Sequence, residues 1–285
     1  MKVDNAIIMA AGTASRFAPL SYERPKALVE VRGEVLIERQ IRQLQEAGIK
    51  QIIVVTGYMA EKFQYLHEKY GVILVHNSDY LTRNNNASIY AVKRYLKNSF
   101  ICSSDNYFLK NPFEAEVDAC YYSAVYMEGE TDEWCISEEN GKIKKVVVGG
   151  NDAWVMLGHA FWSEDFSSKF LSILEREYHK PETADKLWET IYMEHIHEFQ
   201  MNIRKYPTNC IFEFDTLDEL RMFDHSYVNN TRSEILKRIA NELGVEEKEI
   251  RNVKVFKDHN TAAGFTFEVT GRYKYSYATE RMEEA

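Results

Sequence analysis

The sequence predicts an α/β protein: a mixed, mostly parallel sheet flanked by helices over residues 1–227, with a small α+β appendage over residues 228–285. Three observations predict it. A short continuous apolar run at 6–9, the pattern of a strand buried on both faces of a parallel sheet, is followed by further apolar-rich strands at 51–56 and 100–103. Stretches with helical spacing lie between them, and this alternation closes a parallel sheet through right-handed crossovers. Near residue 228 the character changes to a polar joint, VNNTRS, followed by one amphipathic helix and a series of short strands.

The first run ends in Ala10, Ala11 and Gly12. Side chains this small let a ligand approach the main chain, and successive amide N–H groups in such a turn converge on phosphate oxygens. Arg16 and Lys26 follow, a planar fork of donors and a mobile point charge, together suited to the oxygens of a polyphosphate. Pro19 and Pro25 are expected to hold the loop extended, since each fixes its own φ and turns the preceding residue away from helix. A helix over 35–47 comes next, its stripe made by Val35, Leu36, Ile41 and Leu44 and its end by Gly48. A strand at 51–56, a helix near 60–70 stopped by Gly71 and a strand at 72–76 complete the first half of the sheet. Ligands of such sheets bind outside the carboxyl ends of the strands, where 10–12 falls.

The polar stretch NSDYLTRNNNAS leads into a helix over 87–96 that Asn86 or Ser88 would cap. The strand at 100–103 then delivers Asp105. A carboxylate at that place suits Mg²⁺ held against a triphosphate, and an Asp opening a turn is the plainer role. A strand over 121–127 leads to Glu133 and Trp134, and Trp154, Trp162, Trp188, Glu189 and Tyr192 follow. Core packing accounts for any one tryptophan. Four of them beside acidic neighbours also suit a cage for a quaternary ammonium, built from ring faces and a carboxylate. The strand over 210–214 ends at Asp215, and either Thr216 or Asp215 would cap the next helix, whose first turn suits Asp218 and Glu219. The appendage is expected to hold a helix over 233–243 stopped by Gly244, then strands at 253–257, 264–270 and 273–277 with a turn at Gly271 and Arg272.

With 285 residues and 45% hydrophobic content, the chain has material for one large domain and a small one. A net charge of −9 argues against nucleic acid or an anionic membrane as partner, because both need a basic face. No apolar stretch approaches the roughly 20 residues of a bilayer span and the N-terminus lacks a signal-peptide layout, so a cytoplasmic location is expected. Cys102, Cys120, Cys135 and Cys210 lack metal-ligand spacing and read as reduced core residues.

The spacing of Ala10, Ala11, Gly12, Ser15, Arg16, Pro19, Leu20, Pro25 and Lys26 resembles the signature loop of the nucleotidyltransferase family. The resemblance implies a Rossmann-like nucleotidyltransferase fold whose loop wraps a nucleoside triphosphate, with Arg16 and Lys26 neutralising its phosphates. Ala14 stands where the family usually has a second glycine. Alanine there costs about 1 kcal/mol if the position needs φ > 0 and nothing if it needs only a small side chain, the case expected here.

Over about residues 4–225 the chain is similar to choline-phosphate cytidylyltransferases of the bacterial LicC type. The resemblance places Asn84, Asn85 and Ser88 near the base. It makes Asp105 and Asp215 the metal carboxylates, and assigns Glu133, Trp134, Trp162, Trp188, Glu189 and Tyr192 to the acceptor; Trp154 has no counterpart. The implied reaction joins CTP and phosphocholine to give CDP-choline and pyrophosphate, with Mg²⁺ as cofactor, small molecules as partners and a homodimer left open. Phosphoethanolamine, 2-aminoethylphosphonate or a sugar 1-phosphate is the alternative acceptor, and an inactive nucleotide-binding regulator the alternative class. The tail stretch NTAAGFTFEVTGRYKY resembles the start of a choline kinase-like N-lobe; its expected role is packing, dimer contact or lidding.

Overall fold

Strand β1 (Asn5–Ala10) is the centre of the sheet, with Ile7 and Ile8 wholly buried, as an apolar run flanked on both faces requires. It pairs in parallel with β2 (Ile52–Thr56) on one side and β4 (Ser99–Ser103) on the other, and β3 (Ile73–His76) extends the sheet beyond β2. Two long strands, β5 (Tyr121–Glu139) and β6 (Lys142–Trp162), and β7 (Asn202–Tyr206) complete it in the order β7-β5-β6-β4-β1-β2-β3. The β6 pairings with β4 and β5 are antiparallel and the β7–β5 pairing is parallel, so the sheet is mixed and mostly parallel, as expected.

The computed structural model describes residues 1–258 and 261–285, and by its internal contacts the chain forms two compact units. The first is Met1–Gly12 with Ile37–Glu213, and the second is Thr13–Leu36 with Phe214–Ala285. The units therefore do not divide at the expected 227/228 boundary. The loop Thr13–Leu36 groups with the tail because its backbone is tied there. Tyr227 Oη donates to the Glu30 carbonyl at 2.6 Å, and the Arg32 amide donates to Asp224 Oδ2 at 2.7 Å.

In the first unit, α1 (Leu36–Glu46) ends as predicted at Gly48, which takes φ 86°; its amide bonds the Gln45 carbonyl and that of Ile49 bonds Leu44. The next helix starts as a 3₁₀ turn, Ala60–Phe63, before α2 (Gln64–Tyr70). The helix expected over 87–96 is shorter, α3 (Asn86–Ala91) and then a 3₁₀ turn, and neither Asn86 nor Ser88 caps it. Asn86 instead donates to the Thr183 and Lys186 carbonyls, and Ser88 accepts from Asn77. The strand expected over 121–127 runs on through exposed residues to Glu139 and returns through Asn140 (φ 52°) and Gly141 (φ 76°), a two-residue turn. Helices α4 (Glu164–Glu177) and α5 (Trp188–Glu194) cover the aromatic core. The strand expected over 210–214 shrinks to Ile211–Phe212, paired with Tyr107–Phe108.

In the second unit, α6 (Leu217–Phe223) and α7 (Glu234–Leu243) accompany an antiparallel meander. Its strands are β8 (Arg251–Asp258), β9 (Thr261–Glu268), β10 (Arg272–Ser276) and β11 (Arg281–Glu284), one more than expected. Ser233 Oγ accepts from the Leu236 amide to cap α7, and Gly244 (φ 65°) closes it. Asn260, first of the residues likened to a kinase hairpin, lies outside the described residues.

Candidate active site

In the first unit β1 delivers Ala10 and Ala11, both buried, to its carboxyl end. The Tyr58 amide donates to the Ala11 carbonyl at 3.0 Å, and Gly57 lies so close that a Cβ would sit 2.8 Å from the Ala11 oxygen and 2.7 Å from the Tyr80 ring. Only glycine fits there. At Gly12 the situation is reversed: no described atom lies within 4 Å of where a Cβ would stand. The main chain at Gly12 is thus open to an incoming group, as the phosphate-loop reading requires.

The rest of that loop belongs to the second unit and is not extended. It winds through a 3₁₀ turn at Ser15–Phe17, a helical turn at Leu20–Glu23 and a second 3₁₀ turn at Lys26–Leu28. The prolines act locally, since Ala18 (ψ 147°) and Arg24 (φ −156°) before them are extended. Ala14 takes φ 46° and ψ 45°, which corrects the expectation that this position needs only a small side chain. A left-handed alanine costs about 1 kcal/mol that glycine would not.

Asp215 gathers the two cations of this loop. Its carboxylate lies 2.8 Å from Arg16 and 3.4 Å from Lys26, with the Lys26 side chain buried and that of Arg16 largely exposed. The capping role left open for Asp215 falls to Thr216, whose Oγ1 accepts from the Glu219 amide at 3.2 Å. Glu219 in turn accepts from the Asp215 amide at 2.7 Å. The Asp215 carboxylate is therefore given over to cations.

Asp105 stands half-buried in the first unit, two residues past β4. Its neighbour Asn106 donates to Glu213 Oε2 at 3.3 Å. Among the described residues no three His, Cys, Asp or Glu side chains gather as a metal cage. The single carboxylate of Asp105 is a donor of the kind Mg²⁺ takes, since that ion uses one or two protein carboxylates and fills its octahedron with phosphate oxygens and water.

The acceptor residues divide in two. Trp162, Trp188 and Tyr192 are wholly buried and do not offer ring faces to a ligand, contrary to the expected cage. Trp162 packs against Phe170 at 4.7 Å and Trp188 at 5.0 Å, and Tyr192 lies against Phe166 and Phe199. Burying these rings yields more stability than leaving them at a surface, and that outweighs their availability for cation–π contact. Trp134 is half-buried on β5 opposite Val148, beside the exposed Glu133.

Glu189 is different. Its carboxylate is buried, accepts from Asn85 Nδ2 at 3.0 Å and from Tyr122 Oη at 3.4 Å, and burial raises its pKa to about 7 against the lowering effect of those bonds and of its own backbone amide. Tyr122 stacks on Trp188 at 5.7 Å. Its phenol is pushed well above the usual range by burial and then by Glu189, Glu213 and Asp105, which places it in the field of three carboxylates. Sequence reasoning missed Tyr122 and Glu213; a tyrosine inside the run YYSAV reads as strand core. Asn84 and Asn85 spend their side chains on the 185–189 segment, Asn84 on the Asp185 carbonyl and Asn85 also on the Trp188 amide at 2.7 Å.

A mixed, mostly parallel sheet opening on a small-residue turn, followed by a loop bearing paired cations, is the arrangement that the resemblance to nucleotidyltransferases implies. The chain matches the MobA-like NTP transferase domain over residues 6–142. It is 36% identical over 225 residues to the choline-phosphate cytidylyltransferase of Streptococcus pneumoniae, covering 79% of this chain and 98% of that one. It is equally 36% identical over 239 residues to the 2-aminoethylphosphonate cytidylyltransferase of Lancefieldella rimae, covering 80% of this chain and 95% of the relative. The solved structure of the pneumococcal enzyme, LicC, matches with a TM-score of 0.76 over 79% of this chain and 99% of its own. The chain belongs to the LicC-type cytidylyltransferases of the nucleotidyltransferase family and is an enzyme of that class. Among its described residues no helix is long and apolar enough to cross a membrane.

Proposed function

We propose that the protein transfers the cytidylyl group of CTP to phosphocholine, giving CDP-choline and pyrophosphate. The observation that carries the reading is the trio of Asp215, Arg16 and Lys26: two cations fixed by one carboxylate, able to exchange it for phosphate oxygens. The acceptor phosphate attacks the α-phosphorus in line, and the protein contributes positioning and charge neutralisation without a covalent intermediate. Amides at Ala10, Ala11 and Gly12 receive the triphosphate, and Arg16 and Lys26 offset the charge that builds on departing pyrophosphate. Asp105 and Asp215 would hold Mg²⁺, whose charge lowers the repulsion between the nucleotide and the incoming phosphate. Asn84, Asn85 and Ser88 border the base, the first two by holding the 185–189 segment in place.

Glu189, with Tyr122 beside it, takes the ammonium of the acceptor, and Glu133 and Trp134 add a carboxylate and a ring from the β5 arm. With small charged substrates and a net charge of −9, we place the enzyme in the cytoplasm with no nucleic-acid partner. A second reading, 2-aminoethylphosphonate as acceptor, draws support from the burial of Trp162, Trp188 and Tyr192. A primary ammonium needs hydrogen-bond acceptors rather than ring faces. The test is pyrophosphate release from CTP and Mg²⁺ with phosphocholine, phosphoethanolamine, 2-aminoethylphosphonate or glucose 1-phosphate. Preference for phosphocholine is expected, preference for a primary amine would establish the second reading, and silence with all four would overturn both.

A further inference from the structure

We infer that the C-terminal helix and sheet act as a clamp on the signature loop, with Glu23 and Tyr277 as positioning residues that set the affinity for nucleotide. The inference rests on the assignment of Arg16 and Lys26 to the triphosphate, and every contact that carries it lies within the second unit. Glu23, at the end of the helical turn Leu20–Glu23, turns its carboxylate onto the first turn of α7. There Oε1 accepts from the Glu234 amide at 2.8 Å and the Ile235 amide at 3.2 Å. An anion on otherwise unsatisfied helix amides is favoured by both hydrogen bonding and the helix dipole. The adjacent Tyr22 lays its ring on Tyr277, just past β10, with centroids 3.8 Å apart and planes 4° from parallel. Arg24 donates to the Arg232 carbonyl at 3.2 Å, and Arg232 reaches back to the Glu30 carbonyl at 3.4 Å and its carboxylate at 3.6 Å.

The anchors thus fall at 22, 23, 24, 30 and 32, and Lys26 lies between them. Three successive residues before it are pinned to the tail, and so are Glu30 and, through its amide on Asp224, Arg32 after it. Up to Leu28 the loop consists of four-residue and three-residue helical turns, with the two-residue strands Glu30–Val31 and Glu34–Val35 after them, and has little internal cooperativity, because short helical turns do not hold themselves. Its shape, and with it the reach of the Lys26 ammonium, comes from these external ties.

The experiment compares wild type with Tyr277→Ala, Tyr277→Phe and Glu23→Gln. CTP binding is measured alone by titration calorimetry, and steady-state KM is measured for CTP and for acceptor. Loss of the stacked pair should weaken CTP binding about tenfold, the scale of an aromatic pair converted at tenfold for each 1.4 kcal/mol. KM for the acceptor should stay unchanged, and Tyr277→Phe, which keeps the ring, should bind CTP like wild type. Glu23→Gln keeps the shape but weakens the charged cap, and should raise the Kd for CTP severalfold. If Tyr277→Ala does not fold, Glu23→Gln alone decides. Wild-type CTP affinity in a folded Glu23→Gln or Tyr277→Ala variant, or equal losses for CTP and acceptor, would overturn the clamp. Failure of the wild type itself to bind CTP would instead remove the nucleotide assignment on which it rests.

Discussion

Replacing Glu189 by Gln should make the protein more stable at pH 8 while making it a poorer enzyme. Burial raises the pKa of this carboxylate from its ordinary 4.5 to about 7. Between those values the folded chain holds a proton that the unfolded chain has released, so stability falls as pH rises from about 4.5 to about 7 and is level beyond. At 1.36 kcal/mol for each pH unit, the ionised group costs the fold about 3 kcal/mol above pH 7. Glutamine keeps the shape and one acceptor for Asn85 and removes the charge. The variant should therefore match wild type at pH 4.5 and exceed it above pH 7 by roughly 6–12 °C in Tm, at about 2–4 °C for each kcal/mol in a chain of this size. Scanning calorimetry of both proteins from pH 4.5 to 8.5 measures it. A Tm difference that stays constant across that range would refute the reasoning. In activity the sign reverses: KM for a cationic acceptor should fall as pH rises through about 7 in wild type, and should be higher and flat with pH in the variant.

Ala14→Gly should relieve the left-handed alanine and raise stability by about 1 kcal/mol, read as a higher denaturant midpoint without a change in slope. Asp105→Ala should abolish pyrophosphate release with an unchanged circular dichroism spectrum, and near-normal turnover would remove the metal assignment. Trp188→Ala should act through the core, costing about 3–5 kcal/mol by denaturant unfolding, whereas an effect confined to acceptor KM would restore the cage.

Much of the first unit was legible because buried parallel strands write themselves as uninterrupted apolar runs, as in IIMA before Ala11 and IIVV before Thr56. The β5–β6 arms were not read, since their middle is exposed on both faces and the charges of EGETDE hide any alternation. The signal that would have found them was Asn140-Gly141, the strongest two-residue hairpin turn. Arg16, Lys26 and Asp215 were legible as chemistry, and their meeting follows from the loop being folded with the tail. That grouping left no mark in the sequence, because contacts between residues about 200 positions apart have no periodicity. The tryptophans misled for a different reason: a core and a cation cage draw on the same rings, and only the packing of Phe166, Phe170 and Phe199 around them decides which is built.

The ties of Glu23, Arg24 and Glu30 to residues 232 and 234 span between 202 and 211 positions of chain. On a ribosome the loop emerges first and its holders follow after roughly ten to forty seconds at ordinary elongation rates. A nascent chain holding the whole first sheet would still present an unset loop, so competence to bind nucleotide should arrive late in synthesis and all at once. Slow closure of so distant a contact makes this loop a natural client for chaperones and a natural place for misfolding to begin.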